Sequence, residues 1–134
     1  MKTKPFNAST LKVIYKAENE RLKAEETNSI KKYQAFVSKN IRKLITSLPE
    51  QMRKQLPDLV REGKNQFNVM SCTDERLGVR YVNSNQSPDK QLADIGSFEA
   101  VKQVVAWAKR KKFGHKINTC NGHWALFLTL DETV

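Results

Sequence analysis

Cysteine, glycine and long apolar runs are all scarce in this chain, and each scarcity removes a class of function. Two cysteines, Cys72 and Cys120, fall in 134 residues, too few for the dense pairing of a secreted disulfide scaffold. Neither belongs to a CxxC pair, so a four-ligand zinc site has no basis. Free thiols in a reducing compartment are expected, with a single bridge between the two as the alternative. The five glycines are scattered, and none forms GxGxxG or a Walker loop, the usual phosphate cradles. No run approaches the ~18 apolar residues that cross a bilayer. Met1-Lys2-Thr3-Lys4-Pro5 leads into no apolar core of the signal-peptide kind. The chain is therefore expected in the cytoplasm, away from membranes. It has no internal repeat and no low-complexity tract.

What the chain has in excess is positive charge. The net charge is +10. Residues 1–64 carry 15 Lys/Arg against 7 Asp/Glu, and residues 65–134 carry 9 against 7. The excess belongs to the N-terminal half, which suggests one basic surface and not a uniform coat. The length suits one ordinary domain. A single domain over 1–134 is expected, with a long basic helix or helical hairpin over 9–48 and an α+β body over 66–134.

After a loose arm at 1–8, Ser9 or Thr10 is placed to cap a helix through Leu11, Ile14, Tyr15 and Leu22. Glu18 and Glu25 interrupt that stripe. A stronger one follows in Ile30, Tyr33, Val37, Ile41, Leu44, Ile45 and Leu48, spaced three or four apart. Thr27-Asn28-Ser29 is the natural break, because these side chains compete for backbone hydrogen bonds. Yet Leu11, Leu22, Tyr33 and Leu44 are spaced by eleven, almost three whole turns, and so lie nearly on one line. One long helix is favoured over a hairpin. About 40 residues of helix span ~60 Å, more than the diameter of such a domain, so its end is expected to project or to pair in a homo-oligomer. Leu48-Pro49 should end it. A short amphipathic segment from Glu50 to Glu62 then carries Met52, Leu56, Leu59 and Val60, split or kinked at Pro57 and stopped by Gly63.

From Gln66 the period changes to two, and Phe67, Val69 and Ser71 mark a strand. Leu77, Val79 and Tyr81 suggest a second, and residues 83–96 a polar loop. Ser97 is expected to cap a helix running to about Phe113, with Phe98, Val101, Val104, Val105 and Ala108 on its core face and Gly114 as its stop. Asn121-Gly122 is the preferred two-residue hairpin turn. It predicts Cys120 opposite His123, Thr119 opposite Trp124 and Ile117 opposite Leu126, with Ile117, Trp124, Leu126, Leu128 and Leu130 on one face. The fold class is α+β: a long N-terminal helix, a short helix, then a ββαββ body with an antiparallel sheet of about four strands, one side covered by helices.

No catalytic constellation stands out. In the hairpin register His115 and His123 point to opposite faces, so they cannot share an ion. Cys120 beside His123 has the makings of an activated thiolate, but an exposed hairpin tip offers no group to orient the imidazole. Pro57-Asp58 and Glu62-Gly63-Lys64 carry the letters of a PD-(D/E)xK nuclease. That chemistry needs groups converging on a metal from adjacent strands, and these sit on a helical pattern. Asp74 and Glu75 are neighbours on a turn, where side chains diverge. No cofactor or metal is expected, and no enzymatic activity.

The basic helix carries the functional expectation. Lys31, Lys32, Lys39, Arg42 and Lys43 fall on the arc opposite the apolar stripe. With Arg53, Lys54 and the run Lys109-Arg110-Lys111-Lys112 they could neutralise several phosphates. Phe36 lies off the stripe beside Lys32, Lys39 and Lys43, where an aromatic ring stacks on a base or anchors a protein partner. Trp107 is placed similarly, near Arg110 and Lys111. Two partner classes follow: nucleic acid bound without sequence readout, or an acidic protein docking on the same helix. The bland alternative is a solvated Lys-rich face.

The segment Phe98–Leu130, with its closing Gly122-His123-Trp124-Ala125-Leu126, taken with the long basic N-terminal helix, resembles small accessory proteins of tailed bacteriophages. The resemblance implies a non-enzymatic protein made during infection, located in the host cytoplasm, that binds viral or host machinery. It carries no catalytic residue with it.

Overall fold

The computed structural model describes residues 6–130; most of the expected loose arm at 1–8 lies outside them. The chain divides into two compact units, Met1–Phe36 and Val37–Val134. A single helix, α1 (Ala8–Glu62), contributes to both.

In the first unit α1 is capped by Asn7, not by Ser9 or Thr10: the Asn7 Oδ1 accepts from the Thr10 N–H at 2.9 Å. The helix runs through Thr27–Ser29 as favoured, and the alternative break does not form: the Thr27 hydroxyl donates to the Lys23 carbonyl at 2.9 Å, and the helical ladder stays intact. Arg21 pairs with Glu18 and Glu25, both at 2.7 Å. Leu11, Leu22 and Tyr33 keep their eleven-residue register but are about half exposed. None of this unit's described residues is buried.

In the second unit the helix runs through Leu48-Pro49 instead of stopping, and through Pro57 as well. Proline in a helix interior costs about 3 kcal/mol, but Leu48 and Met52 on either side of Pro49 are both buried. Fully burying two such side chains is worth roughly 1.5–3 kcal/mol each, so packing outweighs propensity. Both prolines are exposed. Gln55 ties this part of α1 to the first strand, its Nε2 donating to the Asn68 carbonyl at 3.3 Å.

The sheet has three antiparallel strands, β1 (Gln66–Ser71), β2 (Gly114–Cys120) and β3 (His123–Thr129), in the order β1-β3-β2. The expected fourth strand and the ββαββ order do not form. Leu77 instead closes a 3-10 turn, Glu75–Leu77, and Gly78 turns the chain at φ 70°. Val79 is buried all the same. The stretch after it is held by two isolated hydrogen bonds, Trp124 Nε1 to the Arg80 carbonyl at 2.8 Å and Val82 N–H to the Gly122 carbonyl at 3.0 Å. Of the alternating residues Leu77 and Val79 are buried and Tyr81 is exposed, and the stretch joins no ladder.

The polar loop expected over 83–96 holds a helix, α2 (Pro88–Ser97), capped by Ser87 with Pro88 in the first turn, a recognised helix start. Ser97 ends this helix, and α3 (Glu99–Arg110) follows from Phe98. Gly114 is not the stop. Lys112 takes the left-handed position at φ 68°, and Phe113 N–H reaches the Ala108 carbonyl at 2.8 Å, closing a Schellman motif. The strain at Lys112, about 1 kcal/mol, is accepted because it lays Phe113 against Trp107, their rings 5.9 Å apart and nearly parallel.

The terminal hairpin has the expected register: Cys120 opposite His123, Thr119 opposite Trp124, Ile117 opposite Leu126. β1 adds Phe67 opposite Leu128 and Met70 opposite Leu126, with a bulge between Asn68 and Met70 that lets Val69 and Met70 both be buried. One face thus gathers Phe67, Met70, Trp124, Leu126 and Leu128, and packs with Ile41, Leu48 and Met52 of α1 and Val101 and Val104 of α3. The other face carries Asn68, Lys116, Asn118 and His123, all exposed.

Asn121 and Gly122 adopt φ 51° and 81°, as a type I′ turn requires. A Cβ at Gly122 would run into the Val82 carbonyl oxygen. Gly122→Ala is therefore expected to destabilise the fold by about 2–4 kcal/mol. At Gly96 an added Cβ meets nothing within 4 Å, and Gly96→Ala in α2 should be neutral or stabilising by up to ~1 kcal/mol. Thermal unfolding of the two variants side by side checks both signs.

Candidate functional site

The core-facing residues of α1 in the second unit, Ile41, Leu44 and Leu48, fix which way the helix is turned. At 100° per residue, Lys39, Arg42 and Lys43 then face away from the core. All three are exposed. Among the described residues the ion pairs of this unit are Arg53–Glu50 at 3.8 Å, Arg61–Asp58 at 3.6 Å and Lys64–Glu62 at 3.0 Å. Lys39, Arg42 and Lys43 take part in none of them, so their charge is uncompensated. In the first unit Lys31 and Lys32 are likewise exposed and outside its ion pairs, and Phe36 is 49% exposed.

Lys43 also borders a hollow of about 710 Å³ whose walls include Gln51, Asp74, Glu75 and Arg76. Both signs of charge line it, and Asn40 spans part of it by donating to the Arg76 carbonyl at 3.1 Å. Its walls favour no ligand of one sign.

The cations at the end of α3 occupy a different place. Lys109 and Arg110 lie in the last turn, where the helix dipole favours positive charge. Trp107 does not sit at the margin of this group as expected. It is 8% exposed and stacked on Phe113, a wall of the core and not an exposed aromatic beside the cations. It does border an apolar groove of about 430 Å³, floored by Met52, Phe67 and Trp107 and rimmed by Arg53 and Lys111. Arg110 is exposed and outside that groove. Lys43 and Lys111 thus line separate hollows. The groove escaped the sequence reading because Phe67 and Phe113 join it through tertiary packing. Its local signal is Leu56, two turns beyond Pro49 and 42% exposed.

The residues tested for bond-making chemistry do not assemble. His115 and His123 lie on opposite faces of the sheet. His123 meets the Tyr81 ring edge-on at 4.6 Å. Cys72 is buried, Cys120 exposed, and both thiols are free. Asp58 pairs with Arg61 and Glu62 with Lys64, and Asp74 accepts the Ser71 N–H at 2.8 Å. Among the described residues no three His, Cys, Asp or Glu side chains are grouped to hold a metal, and no helix is long and apolar enough to cross a membrane. No family model, curated protein or solved structure matches the chain.

One group links the basic region to pH. Partial burial, and then the nearby charge of Lys109, hold the His115 pKa below its ordinary 6.5. The unfolded chain therefore takes up this proton first. Stability should fall as pH drops below ~6.5 and stop falling below the folded-state value. His115→Asn is expected to flatten the dependence in that range, and Lys109→Gln to flatten it in part. Urea midpoints measured from neutral to mildly acidic pH check this; an unchanged slope in His115→Asn contradicts it.

Proposed function

We propose that this protein binds nucleic acid without sequence readout, as a small non-enzymatic accessory protein of the phage type, through the outward cations of α1. Lys39, Arg42 and Lys43 supply the contacts in the second unit and Lys31 and Lys32 in the first, with Phe36 positioned to stack on an unpaired base. The observation that carries this reading is the absence of carboxylate partners for these cations among the described residues. Exposed cations free of internal ion pairs keep their full attraction for phosphate. Their neighbours on the helix, Asn40 and Ser47, are engaged internally, so the face offers charge with little base-reading chemistry.

The test is fluorescence polarisation with duplex and single-stranded oligonucleotides across a salt series. Affinity should fall steeply with salt, and replacing Lys39, Arg42 and Lys43 together by Gln should make the log–log slope shallower by about 2–3. No binding at low salt contradicts the proposal.

The first unit supports a second element of the same reading, self-association through α1. Leu11, Leu22 and Tyr33 are exposed on one line, and none of that unit's described residues is buried. A single helix with such a stripe gains by pairing with a second copy, and two copies bind a polyanion with higher avidity. Sedimentation should show a dimer or larger species that Leu22→Glu converts to monomer. A monomeric unaltered chain at high concentration removes this element.

A further inference from the structure

We infer that the groove between the second-unit part of α1 and the end of α3 is a docking site for an acidic, amphipathic helical segment of a partner protein. This goes beyond nucleic-acid binding and does not depend on it. The groove is apolar at its floor, where its lining residues Met52, Phe67 and Trp107 are buried, and Leu56 and Phe113 line it as well. Its volume of about 430 Å³ matches the space of a few apolar side chains and lies within the range of binding clefts. Leu56, at 42% exposure, is held in solvent at its edge.

The charge around the opening selects the occupant. Arg53 and Lys111 both border it, and among the described residues no Asp or Glu does. Lys111 has no ion pair among the described residues. Arg53 reaches only Glu50, at 3.8 Å with both side chains more than 60% exposed, a contact worth little and easily exchanged. An incoming segment that seats leucine-like side chains on Phe67 and Trp107 can therefore offer carboxylates to both cations. Apolar anchors at i, i+3 or i+4, and i+7, flanked by Glu, satisfy both demands at once. Nucleic acid satisfies only the second, because its phosphates cannot fill an apolar floor.

Trp107 reports on occupancy. The chain has two tryptophans. Trp107 borders the groove and Trp124 does not, so a fluorescence change that persists in Trp124→Phe and is lost in Trp107→Phe belongs to Trp107. The probe is a synthetic helical peptide with leucines at i, i+4 and i+7 and flanking glutamates, titrated into the full-length protein. A saturable change in emission is expected. Leu56→Glu should weaken binding about tenfold or more, and so should Lys111→Glu. Circular dichroism of both variants separates lost binding from lost folding, and since both positions are exposed both should stay folded. Three results would overturn the proposal: no saturable change with the peptide, equal binding of polyglutamate, which reduces the site to charge alone, or displacement of the peptide from Trp107 by an oligothymidine. Dodecanoate serves as a further arm: saturation by it without any response to the peptide assigns the groove to small amphiphiles and also overturns it.

Discussion

The Val82 N–H donates to the Gly122 carbonyl, and the approach is open only because residue 122 has no side chain to meet the Val82 carbonyl. The same turn sets the register of β2 on β3. With Cys120 opposite His123, the two-residue period sends Trp124, Leu126 and Leu128 to one side and His123, Ala125 and Phe127 to the other. A slip of one residue would exchange those sets and put Trp124 in water. That side of the sheet then becomes the surface on which α1 and α3 bury Ile41, Leu48, Val101 and Val104. The orientation of α1 follows, and with it the outward direction of Lys39, Arg42 and Lys43. A local choice of backbone at Asn121 and Gly122 thus decides which charges face solvent about eighty residues and a whole layer away.

What was legible in the sequence depended on whether the signal was local. Asn121-Gly122 states its turn in two residues, and the hairpin register follows by counting. The α1 stripe is periodic over many turns, so helix and facing were both readable. Pro49 misled because propensity is a local term, and it lost to the burial of Leu48 and Met52. Leu77, Val79 and Tyr81 misled for the opposite reason. Their alternation is real, but Leu77 is buried from a 3-10 turn, Val79 from the extended chain after it, and Tyr81 is exposed, so the pattern arises without a strand. The helix at Pro88–Ser97 was signalled by Ser87-Pro88-Asp89 and hidden by the polar composition around it. At the candidate site the cations of α1 were readable as a pattern. The burial of Trp107 and the groove beside it were not, because Phe113 reaches Trp107 only through the left-handed Lys112.

Electrostatically the second unit separates its tasks. The pairs it does form, Arg53–Glu50, Arg61–Asp58 and Lys64–Glu62, join sequence neighbours on exposed ground and contribute little to stability. Stability rests on the apolar layer, and the unpaired cations are free to serve binding. The two proposed binding chemistries use different parts of the one helix: bare charge at Lys39–Lys43, and charge beside an apolar floor at Arg53 and Leu56.

That separation is tested most directly by backbone amide chemical shifts of one labelled sample titrated first with an oligonucleotide and then with an acidic amphipathic peptide. The account predicts that the oligonucleotide moves resonances around Lys39, Arg42 and Lys43, that the peptide moves those around Leu56, Trp107 and Phe113, and that neither set displaces the other. Shifts from the oligonucleotide concentrated on the open face of the sheet, at Asn68, Lys116 and Phe127, with α1 unmoved, would contradict it.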